Sequence, residues 1–340
     1  MTIIHELREA ERIISEYKLQ VIITIIFFTI WFAFYIINPS AFTNLFTYTS
    51  LISISPFTVI PAISLTLVII AGEIDLSFSS IMALGPLIMA MTWQAQGEAS
   101  LLGVILGLIA GLGAGLLNGI LIAKLGIPSL IATIGTTFLW RGVVLVATQG
   151  FSIPLGQYRE STVFRALVGR LGDVPVQFLW TIGLAIIFWL ILNRHRFGAY
   201  IYYIGDNRVA AQMVGINVDK VLIIVYAIHG LTAAFAGIIN TLTMATFWPT
   251  LGDIYMLKSV SSVVIGGTPV TGGVGTIYGT FIGGLILEFI EMGVLTAGVT
   301  GFWIRLVHGV VIIVALTAQG ILRRKEITKV MRLIITQATQ

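Results

Sequence analysis

Cysteine is absent from the 340 residues, which excludes disulfides and thiolate metal sites. Charge is scarce as well: Asp, Glu, Lys and Arg make up 10% of the chain against 57% hydrophobic residues. At a mean hydropathy of +1.00, a soluble fold would expose more apolar surface than water tolerates. Four scattered histidines with no cysteine to join them argue against a metal site. The phosphate loop Gly-x-x-x-x-Gly-Lys-Ser/Thr is missing, so the chain cannot hydrolyse ATP by that route. Gly-x-Ser-x-Gly and His-Glu-x-x-His are missing too, leaving transport or signalling as the product. Residues 2–18 are polar and mixed in charge, unlike a cleaved leader, which predicts that the first apolar block is a retained helix.

What the chain has in quantity is long apolar runs. A bilayer core of about 30 Å needs roughly 20 apolar residues as helix. Ten segments qualify as candidates: 19–37, 51–71, 76–93, 100–124, 129–148, 178–192, 221–243, 255–266, 274–295 and 302–321. The eighth is short, and the second contains Pro56 and Pro61. The basic residues fix the orientation, because Lys and Arg near helix ends stay cytoplasmic. Arg8, Arg12 and Lys18 precede the first span, Lys124 closes a hairpin, and Arg194, Arg196, Arg208 and Lys220 fill one loop. Arg323, Arg324, Lys325, Lys329 and Arg332 fill the tail, so thirteen of the nineteen basic residues fall on one side. Arg159, Arg165 and Arg170 occupy the opposite side. The expectation is an all-α polytopic membrane protein of about ten transmembrane helices, with both termini cytoplasmic. Its parts are a cytoplasmic arm (1–18), one transmembrane domain (19–322) and a basic cytoplasmic tail (323–340). The pI near 9.4 then reflects cytoplasmic loop charge, and no nucleic-acid partner is expected.

Glycine is abundant and placed. Gly103, Gly107, Gly111, Gly115 and Gly119 recur every fourth residue along the fourth span, and Gly279, Gly283 and Gly284 repeat the device. In lipid, such small-residue faces let helix backbones approach closely, so these glycines argue for a tightly packed bundle. Two segments interrupt the apolar pattern: Ala71-Gly72-Glu73-Ile74-Asp75-Leu76-Ser77-Phe78-Ser79-Ser80 and Ile265-Gly266-Gly267-Thr268-Pro269-Val270-Thr271-Gly272-Gly273. Irregular backbone at membrane depth survives only where protein or a water-filled cavity satisfies it. A short turn at the membrane interface with solvated ends is the alternative, and span parity puts both turns on the cytoplasmic side. No short-period repeat is evident, although a duplication of four or five spans fits the spacing.

Charge within apolar segments is the strongest pointer to function, since an unpaired charge at mid-bilayer costs several kcal/mol. The candidates are Glu73, Asp75, Arg141, Glu288, Glu291, Arg305, His229 and His308. Asp75 stands where it can cap the helix that begins near Leu76–Ser77. Arg141 must find a carboxylate or carbonyls, with Glu73 and Asp75 as potential partners, or else line a path. A lone histidine in an apolar run, such as His229 or His308, is more often a hydrogen-bonded core residue.

The cytoplasmic loop 194–220 carries a different signal. Asp206 or Asn207 is a good N-cap, residues 209–214 make a short helix, and Gly215 ends it. Ala210, Ala211, Met213 and Ile216 have no reason to face solvent unless something covers them. A helix lying on the membrane surface is one reading, and docking into a protein groove is the other.

At this loop the sequence resembles the membrane subunit of ribose/xylose/galactose-type ABC importers, whose loop runs Ile-Gly-x-Asn-x-x-Ala-Ala-x-x-x-Gly-Ile. Ile204, Gly205, Asn207, Ala210, Ala211, Gly215 and Ile216 match. Ile74-Asp75-Leu76-Ser77 resembles the family's Gly-x-Ile-Asp-Leu-Ser. Asn118-Gly119, Ala132-Thr133-Ile134-Gly135-Thr136 with Arg141-Gly142, and Ile265-Gly266-Gly267-Thr268 before Gly272-Gly273 resemble three further signatures. The likeness runs in order from about residue 20 to 320. Departures are Glu73 for a usual glycine, Ser80 for a frequent glycine, Pro269 for a usual serine and Ala199 for a common arginine.

The resemblance implies a type II ABC importer-like bundle, with two permeases, alike or related, forming the pore. It implies a cytoplasmic ABC ATPase partner that carries ATP and Mg, an extracytoplasmic sugar-binding protein, and no cofactor on this chain itself. Gly205, Asn207, Ala210, Ala211, Met213, Gly215 and Ile216 would then couple to the ATPase, through the loop 194–220. Asp75, Ser77, Asn118, Thr133, Thr136, Arg141 and Thr268 are the substrate-pathway candidates, and 149–177 is the extracytoplasmic loop. Two rivals remain: a stand-alone secondary transporter using Glu288, Glu291 or His308 as an ion relay, and a superfamily permease for branched-chain amino acids or nucleosides.

Overall fold

The computed structural model describes residues 18–317, so the basic tail and the arm ahead of Lys18 lie outside the described residues. The chain is helical almost throughout. In order, the helices are α1 (Lys18–Ile37), α2 (Pro39–Phe42), α3 (Leu45–Ile54), α4 (Pro56–Ile70), α5 (Phe78–Gln96), α6 (Leu101–Ala123) and α7 (Ser129–Thr148). They continue with α8 (Thr162–Val168), α9 (Val176–Arg194), α10 (Arg196–Asp206), α11 (Arg208–Met213), α12 (Val218–Met244), α13 (Asp253–Ile265) and α14 (Ile277–Thr296). A last apolar helix, α15, covers Phe302–Thr317.

Among the described residues, seven helices are long and apolar enough to cross a membrane, and eight if α3 and α4 count as one bent span. These account for eight of the ten predicted segments. The other two coincide with α13, of 13 residues, and α15, so a count of ten requires these shorter helices to cross as well. The second predicted span begins earlier than expected and bends by 46° between α3 and α4. Pro56 opens α4 there, where its missing N–H costs nothing and its ring ends the preceding helix.

Helix α4 is the centre of the bundle, buried at every residue from Pro56 to Ile70. Its surroundings are α9, α12, α13 and α14, which is why it can be apolar on all sides. Beside it, α5, α6 and α12 form the densest packing in the molecule. The glycine face of α6 makes that possible: a methyl added at Gly111 would lie 2.3 Å from Ala234 Cβ, and one at Gly115 2.2 Å from Tyr226 O. The predicted packing role of this face is therefore what the structure shows.

Irregular structure gathers at the two ends. At one end, β1 (Ile153–Pro154) pairs antiparallel with β4 (Thr246–Phe247), and β2 (Arg170–Leu171) pairs with β3 (Val174–Pro175). The Tyr158 hydroxyl in this segment donates to Trp93 O at 3.1 Å, tying residues 149–177 to the end of α5. The opposite end holds both chain breaks together with α10 and α11, and the candidate site is built there.

Candidate functional site

Both breaks are made by the same capping device. Helix α4 ends with Gly72 at φ +82°, where Gly72 N–H donates to Ile69 O and Glu73 N–H donates to Val68 O. Helix α13 ends with Gly267 at φ +87°, where Gly267 N–H donates to Val264 O and Thr268 N–H donates to Val263 O. Each is a Schellman-type cap, with glycine supplying the left-handed residue. Protein also satisfies the remaining backbone: Tyr226 OH donates to Ile74 O at 3.1 Å, and Ile74 N–H donates to Ser129 Oγ at 3.2 Å.

Asp75 does not sit at the N-cap of α5; that position belongs to Ser77. Asp75 Oδ1 instead accepts from both Ser77 N–H and Ser77 Oγ, each at 2.7 Å, forming an Asx turn that leads into the helix. Asn118 Nδ2, from the glycine face of α6, donates to Ser77 Oγ at 2.6 Å. All three side chains are fully buried. The structure thus joins three pathway candidates into one network whose geometry serves the turn. Asparagine can accept the same bonds, so Asp75→Asn is expected to be mild. Asp75→Leu leaves a buried N–H unpaired, a loss of about 1–3 kcal/mol, and is expected to be severe. Initial uptake rates normalised to membrane abundance check this, and rescue of an inactive Asn variant by Arg141→Ala would contradict it.

That last outcome matters because Arg141 does not pair with Glu73 or Asp75. From α7, its guanidinium reaches the turn before α13, donating to Leu251 O at 3.0 Å from both Nη1 and Nη2 and to Pro249 O. It also donates to Ser79 O at 3.2 Å and to Asp253 Oδ1 at 2.5 Å. Fourfold carbonyl and carboxylate contact uses the planar fork as only arginine can. Glu73 finds Arg208 of α11 instead, at 3.2 Å. Thr133 and Thr136 are buried on α7 and bond back to Ser129 O and Thr133 O, and Thr268 is buried beside Gly275. Among the described residues, none of these three side chains bonds to the Asp75 network.

Residues 196–206, expected as part of a loop, form a full amphipathic helix. His195 Nδ1 caps it by accepting from Phe197 N–H at 3.1 Å, and Gly198, Ile201 and Ile204 make its buried side. Their three-residue spacing is that of one face of a helix. The helix ends in contact with both breaks. Gly273 N–H donates to Ile70 O at 2.9 Å, and Gly205 packs over that bond so closely that an added methyl would lie 1.7 Å from Ile70 O. Tyr202 OH donates to Gly275 O at 2.7 Å. One helix end, two broken spans and their connecting bonds meet at a single junction.

From that junction α11 projects. Asn207, rather than Asp206, is its N-cap, accepting from Ala210 N–H at 3.0 Å. Gly215 ends it at φ +85°, and Ile216 N–H donates to Ala211 O in a third cap of the same type. Ala211 and Ile216 are buried against the chain itself, whereas Val209, Ala210, Met213 and Val214 stand exposed, Met213 at 82%. Half of the apolar set is thus covered internally and half presents an uncovered small-sided patch.

The sequence profile described as "Branched-chain amino acid transport system / permease component" matches residues 47–316, most of the chain. This chain belongs to that permease family. The ribose import permease protein of Escherichia coli (strain K12) is 37% identical over 283 residues, covering 82% of this chain and 87% of that protein. The ribose import permease protein of Bacillus subtilis (strain 168) is 39% identical over 255 residues, 75% of this chain and 78% of that one. The fructose import permease protein of Rhizobium meliloti is 30% identical over 301 residues, 86% of this chain and 82% of that one. No solved structure matches. The resemblance drawn from the loop and break motifs is borne out, and with it a multi-pass inner-membrane permease. Outside the motifs, the permease bundle brings buried Lys258 and Glu288 together with half-buried Glu291 and His308 in one cluster.

Proposed function

We propose that this permease is the transmembrane subunit of an ATP-driven, binding-protein-dependent sugar importer. The observation that carries the reading is the junction, where a helix bearing an exposed apolar patch is fastened to both broken spans. ATP can drive transport only by favouring one conformation of the bundle over another, so a rigid connection from the ATPase to the moving helices is required. Helices α10 and α11 supply one. The relatives named as ribose and fructose import permeases support a neutral sugar as the solute.

In this reading α11 docks on a cytoplasmic ABC ATPase that binds ATP and Mg, and an extracytoplasmic sugar-binding protein delivers the solute to the opposite end. A second copy or a paralogue completes the pathway, which opens to alternate sides. The permease binds no cofactor of its own. Gly205, Asn207, Ala210, Ala211, Met213, Gly215 and Ile216 form the coupling element, with Val209 and Val214 added from their exposure. Asp75, Ser77 and Asn118 hold the first break, Thr268 lies in the second, and Thr133, Thr136 and Arg141 belong to a helix flanking the pathway.

Ala210→Arg places bulk and charge in the exposed patch, and Gly215→Val forces a β-branched residue to positive φ, which costs roughly 1–2 kcal/mol. The double variant is expected to insert normally, to lose co-purification with the ATPase and to lose sugar uptake. Unimpaired uptake in that variant, or uptake that survives ATP depletion and collapses with the ion gradient, would point to a stand-alone transporter instead.

A further inference from the structure

At the end opposite the junction, a cavity of about 880 Å³ opens between α13, α15 and the turn after α12. Its wall includes Trp248, Asp253, Tyr255, Lys258, Arg305 and His308. Behind Lys258 lies a desolvated cluster: its Nζ is 3.7 Å from Glu288 Oε1 and is ion-paired to Glu291, while His308 Nε2 is 3.7 Å from Glu291 Oε2. Thr58 Oγ1, from the central helix α4, donates to Glu288 Oε1 at 2.5 Å. Lys258 is 7% exposed and Glu288 1%. Ionisable groups in a span face the bundle interior or water, because acyl chains cannot solvate them. Lys258 and His308 on the cavity wall, with Asp253 and Arg305 beside them, therefore exclude lipid as its filling, and a volume in the range of about 300–1,000 Å³ suits a small-molecule site.

We propose that this cavity is a water-filled solute site for a neutral polyhydroxylated molecule. Trp248 and Tyr255 offer flat apolar faces, and Lys258, held by Glu291 at the cavity floor, offers a charge-assisted donor to a solute hydroxyl. The identity of the solute, and the closing of the open side by a second permease copy, rest on the importer reading above. Leu257, 62% exposed, lines the cavity mouth and stays open to it, and Ile254, 59% exposed, is the rim residue assigned to the second copy.

The chain's lack of cysteine makes the first test direct. Leu257→Cys lines the cavity, whereas Ile186→Cys lies on the outward face of α9. A thiol reacts as thiolate, which forms in water and not in lipid. In the assembled importer, an impermeant cationic methanethiosulfonate is expected to label Leu257→Cys much faster than Ile186→Cys, in the resting or the vanadate-trapped state. Equal rates in both states would overturn the proposal. The second test separates solute contact from structure, using D-ribose, D-fructose and D-allose as probes. Lys258→Met with Glu291→Gln removes a matched pair of charges, and Glu288, which loses Lys258, keeps its bond from Thr58 Oγ1 and can hold a proton in place of the cation. Uptake by the double variant is expected to fall roughly tenfold or more, the effect of losing one charge-assisted hydrogen bond, while thermal stability stays near that of the parent. Parent-like uptake in the double variant would make the pair structural only and end the proposal. Failure of the parent to take up any of the three sugars would instead count against the importer reading, and labelling would still read the cavity.

Discussion

Gly205→Ala is expected to abolish uptake and to lower the thermal stability of the purified protein by several degrees. The added methyl would lie 1.7 Å from Ile70 O and 2.7 Å from Gly273 N, and both are backbone atoms that cannot turn aside. Overpacking typically costs about 1–3 kcal/mol, and the upper end applies where no side chain can yield. The clash also falls on a bond that ties the two breaks together, Gly273 N–H to Ile70 O. Relief therefore requires either the end of α10 to withdraw or the breaks to separate, and each disconnects the lever from the bundle. Gly183→Ala is the matched control, because nothing lies within 4 Å of its would-be methyl. Helix propensity alone makes that change favourable by about 1 kcal/mol. Thermal unfolding in detergent and uptake in cells, measured for both variants, check the contrast. Equal behaviour of the two would refute the close junction.

Arg141→Ala is expected to be nearly as damaging, and Arg141→Lys to recover little. The side chain holds the turn before α13 through Leu251 O, Pro249 O and Asp253, and reaches α5 through Ser79 O. Its removal strands several carbonyls at once, at on the order of 3 kcal/mol in total. Lysine offers one ammonium in place of a planar fork and cannot meet these acceptors together. Asp253→Asn should cost far less, since its side chain is 58% exposed and solvent screens the pair. The ranking Ala ≈ Lys > Asp253→Asn, read from unfolding temperature and uptake, identifies the carbonyls as the main partners. A loss for Asp253→Asn equal to that for Arg141→Ala would show that the ion pair dominates. Asp253 also lines the cavity, so a loosened turn should raise labelling at Leu257→Cys.

The chain's class, most of its spans and its short projecting helix were legible in sequence, because each depends on local pattern. Long apolar runs can only be membrane helices at this composition, and the four-residue glycine spacing of α6 specifies close packing whatever its partner. Asn207 and Gly215 mark the two ends of α11 by chemistry that acts within four residues. Helix α10 was readable too, through Gly198, Ile201 and Ile204, but its aromatic run obscured the period. Pairing across the bundle was not legible. Arg141 and Asp253 are 112 residues apart, and nothing in either neighbourhood favours that pair over Glu73 or Asp75. Glu73 lies 135 residues from its partner Arg208, and Lys258 meets Glu291 only because α13 and α14 pack side by side. The two breaks, similar in their capping chemistry, gave no sign in sequence that one hydrogen bond joins them beneath Gly205. Local rules decide where helices start and stop; which charges and which breaks meet depends on how the helices are arranged in three dimensions.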